Sequence, residues 1–165
     1  MIYTCTINSP LGVLRASAED ASLTGLRFPG QKYFPLDTDT WIEEPDYPVF
    51  QSLRNWLDQY FAGENPRSDI PLAPRGTPFR QGVWKCLADI PYGETRTYSE
   101  IAEQARCRSP QAVGGAIARN PIALLVPCHR VIGSDGSLIG YAGGLDKKEA
   151  LLQIEQTRSR AVLAP

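Results

Sequence analysis

The sequence lacks the features that mark membrane proteins and secreted proteins. Its longest apolar run of interest, residues 122–126, has only five residues between two prolines, whereas a membrane-spanning helix needs about 20. The N-terminus has no basic segment and alternates in polarity, so it does not look like a signal peptide. The composition, 42% hydrophobic and 21% charged, is typical of a globular protein. We therefore expect a cytoplasmic protein with no membrane partner.

Cysteine and histidine are too few and too scattered for a structural zinc site. The four cysteines include no Cys-x-x-Cys pair, and His129 is the only histidine. Structural zinc needs about four Cys or His ligands, usually arranged in close pairs. We expect no metal and no cofactor, and any mechanism that requires a histidine has to use His129.

Charge is nearly balanced overall but not along the chain. Residues 1–75 contain six basic and ten acidic residues, whereas residues 76–165 contain 11 basic and eight acidic ones. Acidic residues are absent from 104 to 134. This segment favours a polyanionic partner, and a merely solvated basic face is an equally good interpretation. The segment contains four arginines: Arg106, Arg108, Arg119 and Arg130.

The first part of the chain predicts a small antiparallel sheet followed by one helix. Residues 2–7 alternate in polarity, and 13–16 and 23–28 are two further short strands. Pro48 begins an amphipathic helix that Gly63 ends. The apolar face of this helix has seven members: Val49, Phe50, Leu53, Trp56, Leu57, Tyr60 and Phe61.

Residues 63–77 contain three prolines and no periodicity, which predicts a linker between two domains, residues 1–75 and 76–165. The second domain opens with Thr77 as an N-cap and Pro78 in the first turn. The apolar face of that helix consists of Phe79, Val83, Cys86, Leu87 and Ile90.

Two further helices predict a helix-turn-helix. The run Thr97-Tyr-Ser-Glu100 is a capping box that begins a short helix. After a turn at 106–108, Ser109 caps a second helix, which Pro121 forces to end at Asn120. A helix, a short turn and a second helix form the helix-turn-helix pattern.

The second of these helices carries two interior glycines. Gly114 and Gly115 each cost about 1 kcal/mol relative to alanine. Together with Ala112 and Ala116 they leave one side of the helix nearly bare backbone. Two interpretations are open: close approach to a nucleic-acid groove, or tight packing against a neighbouring helix.

Cys128 is a candidate nucleophile. It follows the run 122–126, which we interpret as a buried strand, and it stands beside the only histidine. A lone cysteine is more often an inert core residue, but basic neighbours such as Arg130 are expected to lower the pKa of this thiol from about 8.5. Because adjacent strand residues face opposite sides, His129 reaches Cys128 only through a turn or a bridging water.

Glu155 is the candidate third group. It lies on the final helix, which begins near Asp146, and shares the apolar face of Leu151 and Leu152. A buried carboxylate needs a partner, so we expect Glu155 to orient the His129 imidazole. The alternative is an exposed acid near the end of the helix. The tail after Glu155 is expected to fray.

Several short motifs occur in a characteristic order. They are Gln111-Ala-Val-Gly-Gly-Ala116, Asn120-Pro121, Pro127-Cys-His-Arg-Val131, Ile132-Gly133 and Gly140-Tyr-Ala-Gly-Gly-Leu145, followed by Lys148, Glu149 and Glu155. Over residues 77–155 the chain resembles the O6-alkylguanine-DNA alkyltransferases, also called methylated-DNA–protein-cysteine methyltransferases. Residues 1–62 resemble the family only loosely, in architecture.

The resemblance implies an α/β (α+β) fold, with an RNase H-like N-terminal domain and a winged-helix-like helix-turn-helix domain. It also implies a monomeric repair protein that binds the minor groove of double-stranded DNA and flips out an alkylated guanine. The alkyl group of O6-alkylguanine, and of O4-alkylthymine, then passes irreversibly to Cys128. By similarity, His129 is the base through a water and Glu155 orients it. Asn120 shapes the hinge before Cys128, and Tyr98 assists the flip and donates to the leaving purine.

The remaining implied site residues contact DNA or line the pocket. Gln111 departs from the family, which has arginine where a side chain fills the gap left by the flipped base. The bare glycine face would lie in the minor groove. These residues are Gln111, Ala112, Gly114, Gly115, Arg108, Arg119, Arg130, Val131, Ser134, Tyr141 and Ala142.

Three other classes share part of this pattern. An alkyltransferase-like lesion sensor binds damaged bases but lacks the nucleophilic cysteine, which is present here as Cys128. A Cys–His hydrolase turns over and has no need of a helix-turn-helix with a glycine face. An adaptive-response transcription regulator adds a zinc-binding sensor and a second DNA-binding module, for which 165 residues leave no room.

Overall fold

A computed structural model describes residues 1–163, with the side chains of residues 1–160. Its N-terminal part is a four-stranded sheet and one helix. The strands are β1 (Tyr3–Ser9), β2 (Gly12–Glu19), β3 (Ser22–Arg27) and β4 (Ile42–Glu43), in the order β3-β2-β1-β4. The first three pair antiparallel as predicted, but β4 pairs parallel to β1. The sheet is therefore mixed, because a two-residue strand carries no alternation that sequence analysis could detect.

The amphipathic helix α1 (Pro48–Phe61) closes one face of this sheet. Five of its seven predicted apolar residues are buried, whereas Trp56 and Phe61 are half-buried. Gly63 follows with a φ of +87°, a conformation that glycine adopts at no steric cost, so it ends the helix as predicted.

The predicted linker is partly docked on the sheet. The Leu23 N–H donates to the Pro71 carbonyl, and the Ala73 N–H donates to the Leu23 carbonyl, both at 2.8 Å. Further along β3, Leu26 exchanges equivalent bonds with Pro121 and Ala123 of the second domain. Both chain segments satisfy backbone groups that an open sheet edge would leave exposed.

The C-terminal part contains the predicted helix-turn-helix. Its elements are α2 (Pro78–Ala88), β5 (Arg96–Thr97), α3 (Tyr98–Gln104), α4 (Pro110–Ala118), β6 (Val131–Ile132) and α5 (Leu145–Leu163), and β5 pairs parallel to β6. The Thr97–Glu100 capping box forms, and the Ser109 hydroxyl accepts from the Ala112 N–H. α4 ends at Ala118, two residues before the predicted end.

Two helix predictions need correction. Phe79 is 41% exposed, and the buried aromatic of α2 is Trp84, whose Nε1 donates to the Ala116 carbonyl at 2.8 Å. Helical periodicity identifies the apolar face of α2, but it does not show how much of that face the neighbouring helices cover. α5 continues to Leu163, so the expected fraying was wrong for residues 156–163, and residues 164 and 165 lie outside the described part.

The buried apolar side chains of both parts form one continuous cluster. It joins residues of the sheet and α1 to residues of the helix-turn-helix and α5, so the two parts pack as one body. Among residues 1–163, none of the helices is both long and apolar enough to cross a bilayer.

Candidate active site

The segment before Cys128 is a series of tight turns, not the strand that its apolar composition predicted. Within it, only Ile122 forms a bridge, to Leu26 of β3, and Leu124 has a φ of +72°. Asn120 closes the segment: its Nδ2 donates to the Val126 carbonyl at 2.8 Å, and its Oδ1 accepts from the Ile122 N–H at 3.1 Å. The interpretation as a strand failed because these turns bury apolar side chains just as a strand does.

Cys128, His129 and Arg130 form one turn of 3₁₀ helix. With about three residues per turn, their side chains point in three different directions. His129 and Arg130 both reach the carboxylate of Glu155 on α5, whereas Cys128 faces a cavity.

The Glu155 carboxylate is completely buried and accepts five hydrogen bonds. On Oε2 it accepts from His129 Nε2 and the Tyr60 hydroxyl, both at 2.6 Å, and from an Arg130 terminal nitrogen at 3.2 Å. On Oε1 it accepts from Arg130 Nε at 2.7 Å and from the Gly93 N–H at 3.2 Å. Burial alone would raise the pKa of Glu155, but His129 and Arg130 outweigh burial and lower it to about 2.

This carboxylate fixes the protonation state of His129. Burial lowers the pKa of the imidazole even though Glu155 opposes the shift, so His129 is neutral near pH 7. Because an anionic carboxylate only accepts, we assign the imidazole proton to Nε2. Nδ1 then carries a free lone pair, and it is buried with no hydrogen-bond partner among the described residues. His129 is thus prepared to accept a proton.

The thiol of Cys128 differs from the expected preformed thiolate. Burial raises its pKa, and the opposing effects of Asn120, Lys148 and Tyr141 do not compensate. Arg130, which was expected to activate the thiol and to contact DNA, is buried and binds Glu155 and the Ile90 carbonyl. The nearby cation is Lys148, whose pKa burial lowers to about 8.

Cys128 opens into a cavity of about 450 Å³. Five of the predicted site residues line it: Cys128, Tyr98, Gly114, Tyr141 and Ala142. The resemblance implies that Val131 and Ser134 contribute backbone groups to the pocket, and this stays a prediction: the Val131 side chain is buried in β6, and Ser134 is exposed. The lining residues that the sequence did not reveal are Lys32, Ile117, Ala118, Ile139 and Gly140.

Comparison with known proteins agrees with this geometry. Two family models match, the ribonuclease-like domain of 6-O-methylguanine DNA methyltransferase over residues 1–74 and its DNA binding domain over residues 78–157. A Mycobacterium tuberculosis methylated-DNA–protein-cysteine methyltransferase is 48% identical over 164 residues, 99% of this chain and 98% of the relative. The chain belongs to this methyltransferase family. The predicted resemblance and the two-part α+β fold are confirmed.

Other relatives agree with that assignment. A methylated-DNA–protein-cysteine methyltransferase of Methanosarcina barkeri is 47% identical over 161 residues, 96% of this chain and all of the relative. The crystal structure of Mycobacterium tuberculosis O6-methylguanine methyltransferase superposes with a TM-score of 0.87 at 46% identity, covering 100% of this chain and 96% of that one. The Mycobacterium tuberculosis protein OGT in complex with DNA matches with a TM-score of 0.87 at 45% identity, covering 94% of each chain.

The pocket of this methyltransferase is held by polar contacts to one loop. Lys148 Nζ donates to the Ile139 and Gly140 carbonyls at 3.0 Å each, and the Tyr98 hydroxyl donates to the Ile139 carbonyl at 2.9 Å. The sequence analysis predicts no role for Lys148. Its signal was a lysine three residues before Leu151, on the buried face of α5.

The methyltransferase exposes the predicted DNA-contacting start of α4. Arg108, Gln111 and Ala112 are all exposed. A Cβ added to Gly114 would meet no atom within 4 Å, so packing against a neighbouring helix does not explain this glycine. Arg119 is less available for DNA contact than expected, because its side chain donates to the Gly115 carbonyl at 3.1 Å.

A loop of the N-terminal domain contributes to the pocket rim, which sequence analysis did not predict. The guanidinium of Arg119 lies 4.1 Å from the Tyr33 ring, a cation–π contact that joins this loop to the end of α4. Lys32, which immediately precedes Tyr33, lines the cavity. The loop carries no periodicity, so nothing in the sequence indicated that it reaches the site.

Proposed function

We propose that this protein repairs double-stranded DNA by moving the alkyl group of O6-alkylguanine onto the Sγ atom of Cys128, once per protein molecule. The observation that carries the proposal is the buried Cys128 thiol at a cavity, with the His129–Glu155 pair behind it. The DNA complex of the Mycobacterium tuberculosis relative supports DNA as the partner. O4-alkylthymine is proposed as a second substrate on the family resemblance.

In the proposed reaction the thiol proton passes through a bridging water to His129 Nδ1 as sulfur attacks the alkyl carbon. The sulfur–carbon bond forms, the carbon–O6 bond breaks, and its electron pair stays on the purine. Tyr98, which lines the cavity, donates a proton to the leaving purine and regains one from the imidazolium. One proton is thus transferred from thiol to guanine overall.

The resting thiol is neutral, and this suits a protein that reacts only once. A buried neutral thiol resists oxidation, since the thiolate is the reactive form. Lys148 then stabilises the negative charge that develops on sulfur during attack. The product is a thioether, which has no electrophilic carbonyl for water to attack, so the alkylated protein is not regenerated.

The transfer rate is expected to be nearly independent of pH between about 6.5 and 7.5, and to fall above about pH 8, where Lys148 loses its proton. The depressed pKa of His129 keeps the base neutral over that range, and the raised pKa of Cys128 keeps the resting thiol protonated. Single-turnover rates measured with saturating DNA test this. A rise of about tenfold per pH unit would show that a preformed thiolate attacks without the base.

The Gln111→Arg variant is expected to bind DNA more tightly than the natural protein. Glutamine can hydrogen-bond the orphaned base but brings no charge and stacks less well. The added cation should steepen the dependence of log affinity on log salt by about 0.9, one phosphate contact. Titrations of one duplex at several salt concentrations measure both quantities. Equal binding by the two proteins at every salt concentration contradicts this role for Gln111.

The stoichiometry of repair separates the proposed function from its alternatives. With O6-methylguanine duplex in excess, we expect loss of the modified base to stop at one equivalent per protein, and Cys128→Ser to remove none. A lesion sensor would bind the duplex and remove nothing, whereas a hydrolase would continue past one equivalent. The same assay with O4-methylthymine tests the second substrate.

We infer from the family resemblance that the protein acts as a monomer. The cytoplasmic location and the domain boundary at residue 75 stay predictions. Size-exclusion chromatography with light scattering tests the monomer, and a dimer that forms at assay concentrations would contradict it.

A further inference from the structure

One contact of the Glu155 carboxylate comes from outside the DNA-binding domain. Tyr60, in the last turn of α1, donates its hydroxyl hydrogen to Glu155 Oε2 at 2.6 Å. His129 Nε2 lies 2.6 Å from the same oxygen atom. Because the tyrosine and the imidazole share one acceptor, a change in either hydrogen bond alters the other.

The packing around Tyr60 fixes the direction of its hydroxyl. The side chain is completely buried, and its ring stacks on Trp56 with centroids 5.2 Å apart. The rings of Phe61 and Tyr92 meet it edge-on. Burial and the charge of Glu155 raise the pKa of Tyr60, so the hydroxyl is a donor at neutral pH.

We propose that Tyr60 is a positioning residue, by which the N-terminal domain holds the Glu155 carboxylate in place and sets the basicity of the His129 imidazole. The effect of Tyr60 on the rate of alkyl transfer rests on the proposed function. The donor draws electron density from Oε2, which weakens the attraction of the carboxylate for an imidazolium proton. It also fixes the carboxylate plane, and through that plane the imidazole ring.

Other charged or titratable groups lie around the same pair, and Tyr60→Phe replaces none of their side chains. Arg130 adjoins in the chain and binds Glu155, and Lys148 on α5 opposes a positive charge on His129. Cys128 precedes His129 in the chain. Tyr92 lies in the turn after α2, and the charge of Glu155 contributes to raising its pKa. The hydroxyl of Tyr92 is buried without a hydrogen-bond partner among the described residues. Removing the Tyr92 hydroxyl is therefore a matched control for removing the Tyr60 hydroxyl.

The Tyr60→Phe variant tests the proposal, with Tyr92→Phe as the control that removes a nearby hydroxyl without removing a bond to Glu155. His129 is the only histidine, so its imidazole NMR signals in the full-length protein need no assignment. We expect Tyr60→Phe to raise the pKa of His129 by about one unit and Tyr92→Phe to leave it unchanged. The single-turnover rate should fall by about tenfold in Tyr60→Phe, and its acid limb should move to higher pH.

The NMR titration does not require alkyl transfer, so it separates failure of this inference from failure of the proposed function. An unchanged His129 titration in Tyr60→Phe overturns the inference, even if the melting temperature falls, because that result indicates a purely structural bond. If Tyr60→Phe does not fold, fluorotyrosine incorporated at position 60 replaces it. A more acidic hydroxyl is a stronger donor and should lower the pKa of His129, and no change overturns the inference.

Discussion

Glu155→Ala is expected to lower the free energy of unfolding by about 3–5 kcal/mol and the transfer rate by at least about a hundredfold. The substitution leaves the buried Arg130 guanidinium and Tyr60 hydroxyl, and the partly buried Gly93 N–H, without their acceptor. His129 loses the anion that holds its proton on Nε2. Chemical denaturation and single-turnover kinetics measure the two effects.

The pH dependence of the free energy of unfolding tests the contribution of the same Glu155 carboxylate. The pKa of Glu155 is depressed to about 2 in the folded protein, against about 4.3 in an unfolded chain. Its contribution is therefore fully present above about pH 4.3 and is lost as the pH falls towards 2. Glu155→Gln should remove this part of the acid dependence.

Glu149→Ala is the matched control, because Glu149 lies on the same helix and is exposed. A surface substitution of this kind changes stability by less than about 0.5 kcal/mol. If Glu155→Ala were as stable and as active as Glu149→Ala, the buried carboxylate would organise neither the fold nor the site.

Gly114→Leu is expected to weaken binding to duplex DNA by about a hundredfold, or about 2.7 kcal/mol. Gly114 is half-buried and lies at the rim of the cavity, where a large side chain would separate the helix from the groove. The fold should be kept or slightly stabilised. An added Cβ meets no atom within 4 Å, and leucine has the better helix propensity by nearly 1 kcal/mol.

Gly82→Leu is the control variant, since Gly82 is also an interior helix glycine with open space beside it. Gly82 is exposed and does not line the cavity. We expect it to gain similar stability while binding DNA normally. Thermal melts and DNA titrations of both variants measure this difference. Equal DNA binding by the two would mean that the glycine side of α4 is not the DNA-binding face.

Sequence patterns predicted the parts of the fold and the site that depend on local chemistry. Thr77, Ser109 and the Thr97–Glu100 capping box predicted three helix starts because a cap acts on backbone groups within one turn. Pro48 predicted the start of α1 because its fixed φ suits the first turn of a helix. The buried position of Glu155 followed from its helical spacing to Leu151 and Leu152, and its bond to His129 is the expected one.

The errors concern residues whose roles depend on distant partners. The acid-free segment and the family resemblance both point to DNA as the partner of Arg130, and only the tertiary fold brings Glu155 and the Ile90 carbonyl to it. Tyr60 was placed in the core on its helical spacing. The available signal was its hydroxyl, which needs a partner when buried, but the partner lies 95 residues away.

Peptide mass spectrometry after incubation with a duplex containing one O6-methylguanine tests the central claim most directly. We predict that the Cys128 peptide gains one methylene group, that this gain saturates at one per molecule, and that peptides containing Cys5, Cys86 and Cys107 stay unmodified. The Cys128→Ser protein should gain none. Unmodified Cys128 in protein that has bound the duplex, or the methyl group on another cysteine, would contradict the account.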